Sequence, residues 1–259
     1  MRFAFLVILA LSTAPSLAQS TSTGGWTVTI GPGGAYVPKF PGADKMEIRL
    51  WPIVNVRRTG KEARFITPDD NFGIGLIGDR NFRIGPSLNI QHGRNEADAI
   101  PGIGDVGTTI EGGVFAEAFL TDHFRLRADV RKGFGGHKGV VGDVGADVIF
   151  GQPADRFHFS VGPRLRLANN RYMQSFYGVS PTQSTLSGLP TYNAGGGLTS
   201  AGALTFANYQ ITPRLGIQAY ARYDRLLGDA RNSPLVLSSV GSRNQYETGL
   251  GLTYSFDIH

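Results

Sequence analysis

The amino-acid sequence predicts an all-β protein: a transmembrane antiparallel up-and-down β-barrel of about 12 strands behind a cleaved N-terminal signal peptide. Three observations carry this. Apolar and polar residues alternate with a period of two over segments of 11 to 14 residues, where soluble strands average about five or six. At roughly 3.3 Å per residue and a tilt near 40°, such a segment rises about 30 Å, the thickness of a bilayer's apolar core. The links between segments sort by length onto alternate sides, short at one rim and long at the other. The 36 glycines show no collagen period and are spread through the apolar segments, as a curved, closely packed sheet requires.

The chain opens with MRFAFLVILALSTAPSLAQ, one basic residue followed by the apolar run Phe3 to Leu11. Ser16-Leu17-Ala18 forms a small-x-small cleavage site, and the apolar run is too short to span a bilayer. Residues 1–18 are therefore expected to be a signal peptide, and 19–259 an outer-membrane barrel domain. No later stretch has eighteen apolar residues in a row, so no transmembrane helix is expected. Cysteine is absent and the fold must hold without disulfides. The formal charge of +5 comes from 25 basic and 20 acidic residues intermixed, with no Lys or Arg run that suggests nucleic acid.

Strands are predicted near 26–38, 46–57, 62–67, 71–78, 81–92, 108–120, 123–135, 139–150, 156–168, 198–210, 214–226 and 243–256. The pieces at 62–67 and 71–78 are short, and one bent strand is the alternative reading. Arg58-Thr59-Gly60-Lys61, Gly78-Asp79-Arg80, Thr121-Asp122, Gly151 to Asp155 and Ile211-Thr212-Pro213 are the short links. The long links, 93–107, 169–197 and 227–242, fall on the other parity. This is the outer-membrane arrangement with both chain ends periplasmic. In FRLRADVRKG, Phe124, Leu126, Ala128 and Val130 alternate with Arg125, Arg127, Asp129 and Arg131. Lipid is expected against the first set and a wet lumen against the second.

The inward groups then include Glu111, Glu117, Arg125, Arg127, Asp129, Arg131, Asp143, Asp147, Arg164, Arg166 and Arg222. A backbone radius of roughly 12 Å for about twelve strands makes the lumen narrow or closed. Charge signs alternate between neighbouring strands, so these residues either neutralise one another or line a constriction for anionic or zwitterionic solutes. The long link 169–197 is the other candidate site. Arg171, Tyr172, Met173, Gln174, Phe176 and Tyr177 form an aromatic-rich interaction cluster, and Ser180 is placed to cap a short helix opened by Pro181.

Other motifs carry less. Gly102, Gly104 and Gly107 spell G-x-G-x-x-G, but the motif precedes a strand rather than opening a helix within a βαβ unit. His158 and Ser160 form a His-x-Ser pair that alternation turns inward, away from lipid substrates. His92, His123, His137, His158 and His259 show no metal-ligand spacing. The remaining Asp and Glu residues read as members of strands or solvated turns. No cofactor, no metal and no enzymatic activity are expected.

RYMQSFYGVSPTQSTLSGLPTYNAGGGL, YDRLLGDARNSPLV, VRKGFGGHKGVVGDVG and the closing GLGLTYSF resemble the signature blocks of the MltA-interacting protein (MipA/OmpV) family of outer-membrane proteins. The resemblance covers nearly the whole mature chain. It implies a scaffold or adaptor for peptidoglycan-remodelling machinery, with a lytic transglycosylase and a murein synthase as partners. Outer-membrane lipid and the barrel assembly machinery are further expected partners, and nucleic acid is not. The alternative function is a narrow porin-like channel for small anionic or zwitterionic solutes.

Overall fold

The computed structural model describes residues 24–258. The predicted signal peptide, 1–18, and the segment up to Thr23 lie outside the described residues. Twelve strands form one antiparallel sheet. They are β1 (Trp26–Pro38), β2 (Met46–Arg58), β3 (Phe72–Gly73), β4 (Ile77–Gly78), β5 (Phe82–Gln91), β6 (Thr109–Thr121), β7 (Phe124–Gly135), β8 (Val140–Phe150), β9 (Phe157–Ala168), β10 (Gly197–Gln210), β11 (Leu215–Leu226) and β12 (Asn244–Ile258). Four short helices sit in the long links: α1 (Asn170–Tyr177), α2 (Pro181–Ser187), α3 (Gly228–Asn232) and α4 (Pro234–Leu237).

The hydrogen-bonded order is β2-β1-β12-β11-β10-β9-β8-β7-β6-β5-β3, with β4 also pairing β5. The sheet therefore curls so that β1 pairs β12, as in an up-and-down barrel. Its two ends, β2 on one side and β3 with β4 on the other, are not hydrogen-bonded to each other.

The predicted faces hold along the wall. On β7 the residues Arg125, Arg127, Asp129 and Arg131 are buried inside, while Val130 is 54% exposed on the outer face. Glu117 lies opposite Arg127 on β6, and Asp147 opposite Arg125 on β8. On β2 Ile48, Leu50, Val54 and Val56 point outward between inward Glu47, Arg49, Asn55 and Arg57. An outer belt of Leu, Val, Ile and Phe around an inner face rich in Arg, Asp and Glu is the pattern a bilayer selects. Moving an arginine to the outer face near mid-strand costs about 2–4 kcal/mol. Val130→Arg is expected to lower unfolding stability by about that amount, read from urea titration of the protein folded into lipid vesicles.

One element departs from the sequence-based expectation. Residues 62–67, predicted as a wall strand, are not part of the sheet. They rise through the lumen, where Phe65 and Thr67 are buried. The predicted strand 71–78 is interrupted into β3 and β4, both pairing β5. Period-2 alternation reports that a segment is extended with two unlike faces. It does not report whether lipid or the barrel's own interior lies against the apolar one.

Candidate functional site

The lumen is crossed by a network of ion pairs. At its centre Arg125, 1% exposed, donates to three carboxylates from three directions: Asp70 at 2.6 Å, Asp147 at 2.9 Å and Glu117 at 3.3 Å. Arg164 bridges Asp147 and Asp69, each at 2.7 Å. Arg127 holds Asp129 at 2.9 Å, and Arg131 holds Glu111 at 2.9 Å and Asp143 at 2.5 Å. Arg166 also donates to Asp143, at 2.7 Å, and Arg222 pairs Asp224 at 2.5 Å. Longer contacts, Arg127 to Asp70 at 3.4 Å, Arg131 to Asp129 at 3.7 Å and Arg222 to Asp69 at 3.4 Å, join these pairs into one connected set that holds every predicted lumen residue. The expected wet lumen is here an interior of guanidinium–carboxylate contacts. Cross-strand neighbours of opposite sign sit about 5 Å apart, within reach of the long Arg side chain.

Several partners in that network were not legible as functional residues. Asp69 and Asp70 read as turn residues, and the structure instead places them in the lumen against Arg164, Arg222, Arg125 and Arg127. Pro68-Asp69-Asp70-Asn71 is a turn signature, but a turn buried inside a barrel looks the same as one at its rim. Arg64, beside them, donates to Glu117 at 3.0 Å.

The long-link mouth is closed by a lid. α1 turns Tyr172, Met173, Phe176 and Tyr177 inward, where they pack with Val141, Ala168, Ala194, Leu226, Ala230 and Val236. A second cluster joins Phe40, Ala43, Ile103, Val179 and Leu235. The aromatics of the predicted interaction cluster are therefore the lid's own core, and Arg171 alone of that set is fully on the outside, with Gln174 half-buried. Their spacing at positions three and four apart is that of a helix burying one face. Ser180 caps α2 and Pro181 opens it, as predicted; the structure adds a reciprocal box between Ser180 and Gln183, and Asn169 accepts from Tyr172 N to cap α1. α2 ends at Gly188, whose φ of 73° suits glycine.

Two residues without a sequence signal tie lid to barrel. Arg94 is buried and donates to the carbonyls of Phe176 at 3.1 Å, Ile103 at 3.4 Å and Gly104 at 3.3 Å. Burial lowers its guanidinium to about 10. Gly102, Gly104 and Gly107 thus belong to a loop clamped by Arg94. His137 donates through Nε2 to Glu111 at 2.9 Å and accepts at Nδ1 from Gly139 N at 3.0 Å. Its ring meets Tyr172 edge-on, with centroids 4.9 Å apart. Burial pushes the Tyr172 hydroxyl up to about 12. His158 and Ser160 face inward and are buried. No cluster of three or more His, Asp or Glu placed for a metal occurs among the described residues.

Beside the network lies a cavity of about 1790 Å³. Its lining runs from Val37, Tyr172 and Tyr177 under the lid, past Arg222 and Tyr220, to Lys61, Arg156 and Pro213 at the short turns. On the side of the sheet's two free edges it reaches Val54, Val56, Ile74 and Ile90.

An antiparallel sheet curled on itself, apolar outside and ion-paired within, defines an outer-membrane β-barrel protein. The profile of MltA-interacting protein MipA matches residues 30–256. The chain belongs to that family, as the RYMQSFYGVS and LLGDA blocks indicated. Among solved structures, the NanC porin shares 12% identity over 88% of this chain and 100% of its own, at a TM-score of 0.43. An outer membrane channel from Pseudomonas putida F1 shares 8% over 95% and 100% of the two chains, at 0.42. Pseudomonas putida OprB shares 10% over 90% and 94%, at 0.43. No curated protein sequence matches significantly.

Proposed function

We propose that this chain is a non-enzymatic scaffold in the outer membrane that holds peptidoglycan-remodelling enzymes, a lytic transglycosylase and a murein synthase, at its periplasmic rim. The observation that carries the reading is the closure of the long-link mouth by a packed lid above an ion-paired lumen. Short turns face the periplasm and long loops the exterior in barrels of this type. The short-turn rim is then the surface offered to cell-wall enzymes, and it carries exposed Lys61, Arg156 and Arg214. The family description names a protein that interacts with MltA, which supports a partner of the transglycosylase class.

Affinity capture from crosslinked envelopes tests the reading. The two murein enzymes are expected to co-purify with the wild-type chain. Lys61→Glu with Arg156→Glu and Arg214→Glu is expected to lower their recovery, while the folded barrel keeps its anomalous gel mobility before heating. Recovery of neither enzyme, together with steady single-channel currents that Arg125→Ala or Arg164→Ala alters, would replace the scaffold by a porin.

A further inference from the structure

The cavity beside the network is open at the short turns, among Lys61, Arg156 and Pro213, and ends beneath Tyr172 and Tyr177 of the lid. A space entered from the rim and shut above can hold a molecule without passing one through to the exterior. At about 1790 Å³ it is larger than a small-molecule pocket, roughly 300–1,000 Å³.

Its two sides differ in charge. Most of the ion pairs belong to β6, β7, β8 and β9. Across from them, below Arg49 on β2, Glu247 on β12 and Arg222 on β11, the inward side chains of β10, β11, β12, β1 and β2 carry no charge until the rim level of Arg57. Instead Asn55, Asn208, Gln210 and Gln218 line the cavity as half-buried amides. Gln210 reaches Asn208 at 3.4 Å, while the side chains of Asn55 and Gln218 have no hydrogen-bond partner among the described residues. A carboxamide both donates and accepts, so these groups suit a ligand that does the same.

An aromatic platform lies among the amides. The register sets Trp51 against Gly33, Gly33 against Gly251, Gly251 against Gln218, Gln218 against Asn208 and Asn208 against His158. One rung thus carries an indole, two bare glycines, two amides and an imidazole whose buried Nδ1 has no partner among the described residues. Five strand spacings make it about 24 Å of wall. A Cβ at position 33 would stand 2.6 Å from the Trp51 ring, and one at position 249 would stand 2.2 Å from the Tyr220 ring. Glycine at both places lets the two rings lie down on the wall. They meet edge to face with centroids 6.1 Å apart, half-buried and lining the cavity.

We propose that this wall binds an uncharged oligosaccharide that enters at the short-turn rim. A pyranose ring has an apolar face of C–H groups and a belt of hydroxyls, each of which donates and accepts. Trp51 and Tyr220 take the apolar face, as aromatic rings take other flat apolar surfaces. Asn55, Asn208, Gln210 and Gln218 take the hydroxyls. An ionic ligand would find no counter-charge on this wall. The site stands apart from the scaffold reading, since capture of enzymes from envelopes and sugar binding by the purified chain are separate measurements.

Trp26→Phe leaves Trp51 as the one tryptophan of the chain, so its emission reads the site directly. Maltotriose and chitotriose are the probes. Titration of the refolded Trp26→Phe chain is expected to change that emission saturably with at least one of them, and calorimetry of the wild-type chain to return the same affinity. Asn208→Leu with Gln218→Leu is expected to weaken binding about tenfold or more, because the hydroxyls lose their partners. Trp51→Leu, followed by calorimetry, is expected to weaken it by about the same factor. Arg171→Ala, outside the lid, is expected to leave the affinity unchanged. Gel mobility before heating shows that each chain is folded. Three results would overturn the proposal. One is a folded wild-type chain that binds neither sugar. Another is binding that the leucine variants leave at full strength. The last is an Arg171→Ala chain weakened as much as they are.

Discussion

Replacing Arg125 by alanine is expected to destabilise the folded barrel by about 3–5 kcal/mol. The guanidinium is buried and meets Asp70, Asp147 and Glu117 together, with Thr67 Oγ1 3.1 Å from one of its nitrogens. Alanine would leave Asp147 to Arg164, Glu117 to Arg64 and Arg83, and Asp70 to Arg127 alone, so three carboxylates lose a shared guanidinium where water reaches poorly, and a deficit of buried counter-charge is the costly case. The Phe65 ring, over which the guanidinium lies at 4.9 Å, would lose its cation as well. Urea titration of the refolded barrel, followed by tryptophan emission from Trp26 and Trp51, measures the change. Arg171→Ala, on the outside of α1, provides the contrast and is expected to shift stability by no more than about 0.5 kcal/mol. Equal effects of the two variants would mean that the lumen pairs are solvated and worth no more than surface pairs.

Phe176→Ala is expected to unfasten the lid, with a loss of about 3–5 kcal/mol in that unit. Phe176 is 0% exposed, packs on Tyr172 and His137, and its carbonyl is one of the three that Arg94 holds. The void would fall where α1, the 93–107 link and the top of the lumen meet. Hydrogen exchange is expected to rise over residues 93–107 and 170–194, and limited proteolysis to cut there, while the strands keep their protection. The local response follows from the lid having a core of its own, distinct from the outward belt and the lumen network. Uniform deprotection of lid and wall would show instead that the lid is part of one cooperative unit with the barrel.

Much of the wall was legible because a bilayer makes burial binary. A residue such as Arg125 or Val130 has one acceptable side, and a slip by one position would place Arg125, Arg127 and Arg131 together in lipid. Hence the faces of β7 and its neighbours could be read from alternation, and the helix after Ser180 from its cap. The lid aromatics could not be placed from composition. Tyr172, Phe176 and Tyr177 on a long link look alike whether they await a partner or pack on Ala194 and Val236, and only the return of the chain from distant links shows the second.

The amino-acid sequence by itself determined the class of fold, the family, the two faces of β7 and its neighbours and the charged character of the interior. These follow from local period and from solvent on either side, both of which act residue by residue. The tertiary structure alone decided that residues 61–71 lie within the lumen, that Asp69 and Asp70 complete the arginine network, and that the long links close one mouth. Those depend on which remote groups meet across the barrel, and a guanidinium on one strand carries no record of the carboxylate that will face it from a segment far along the chain.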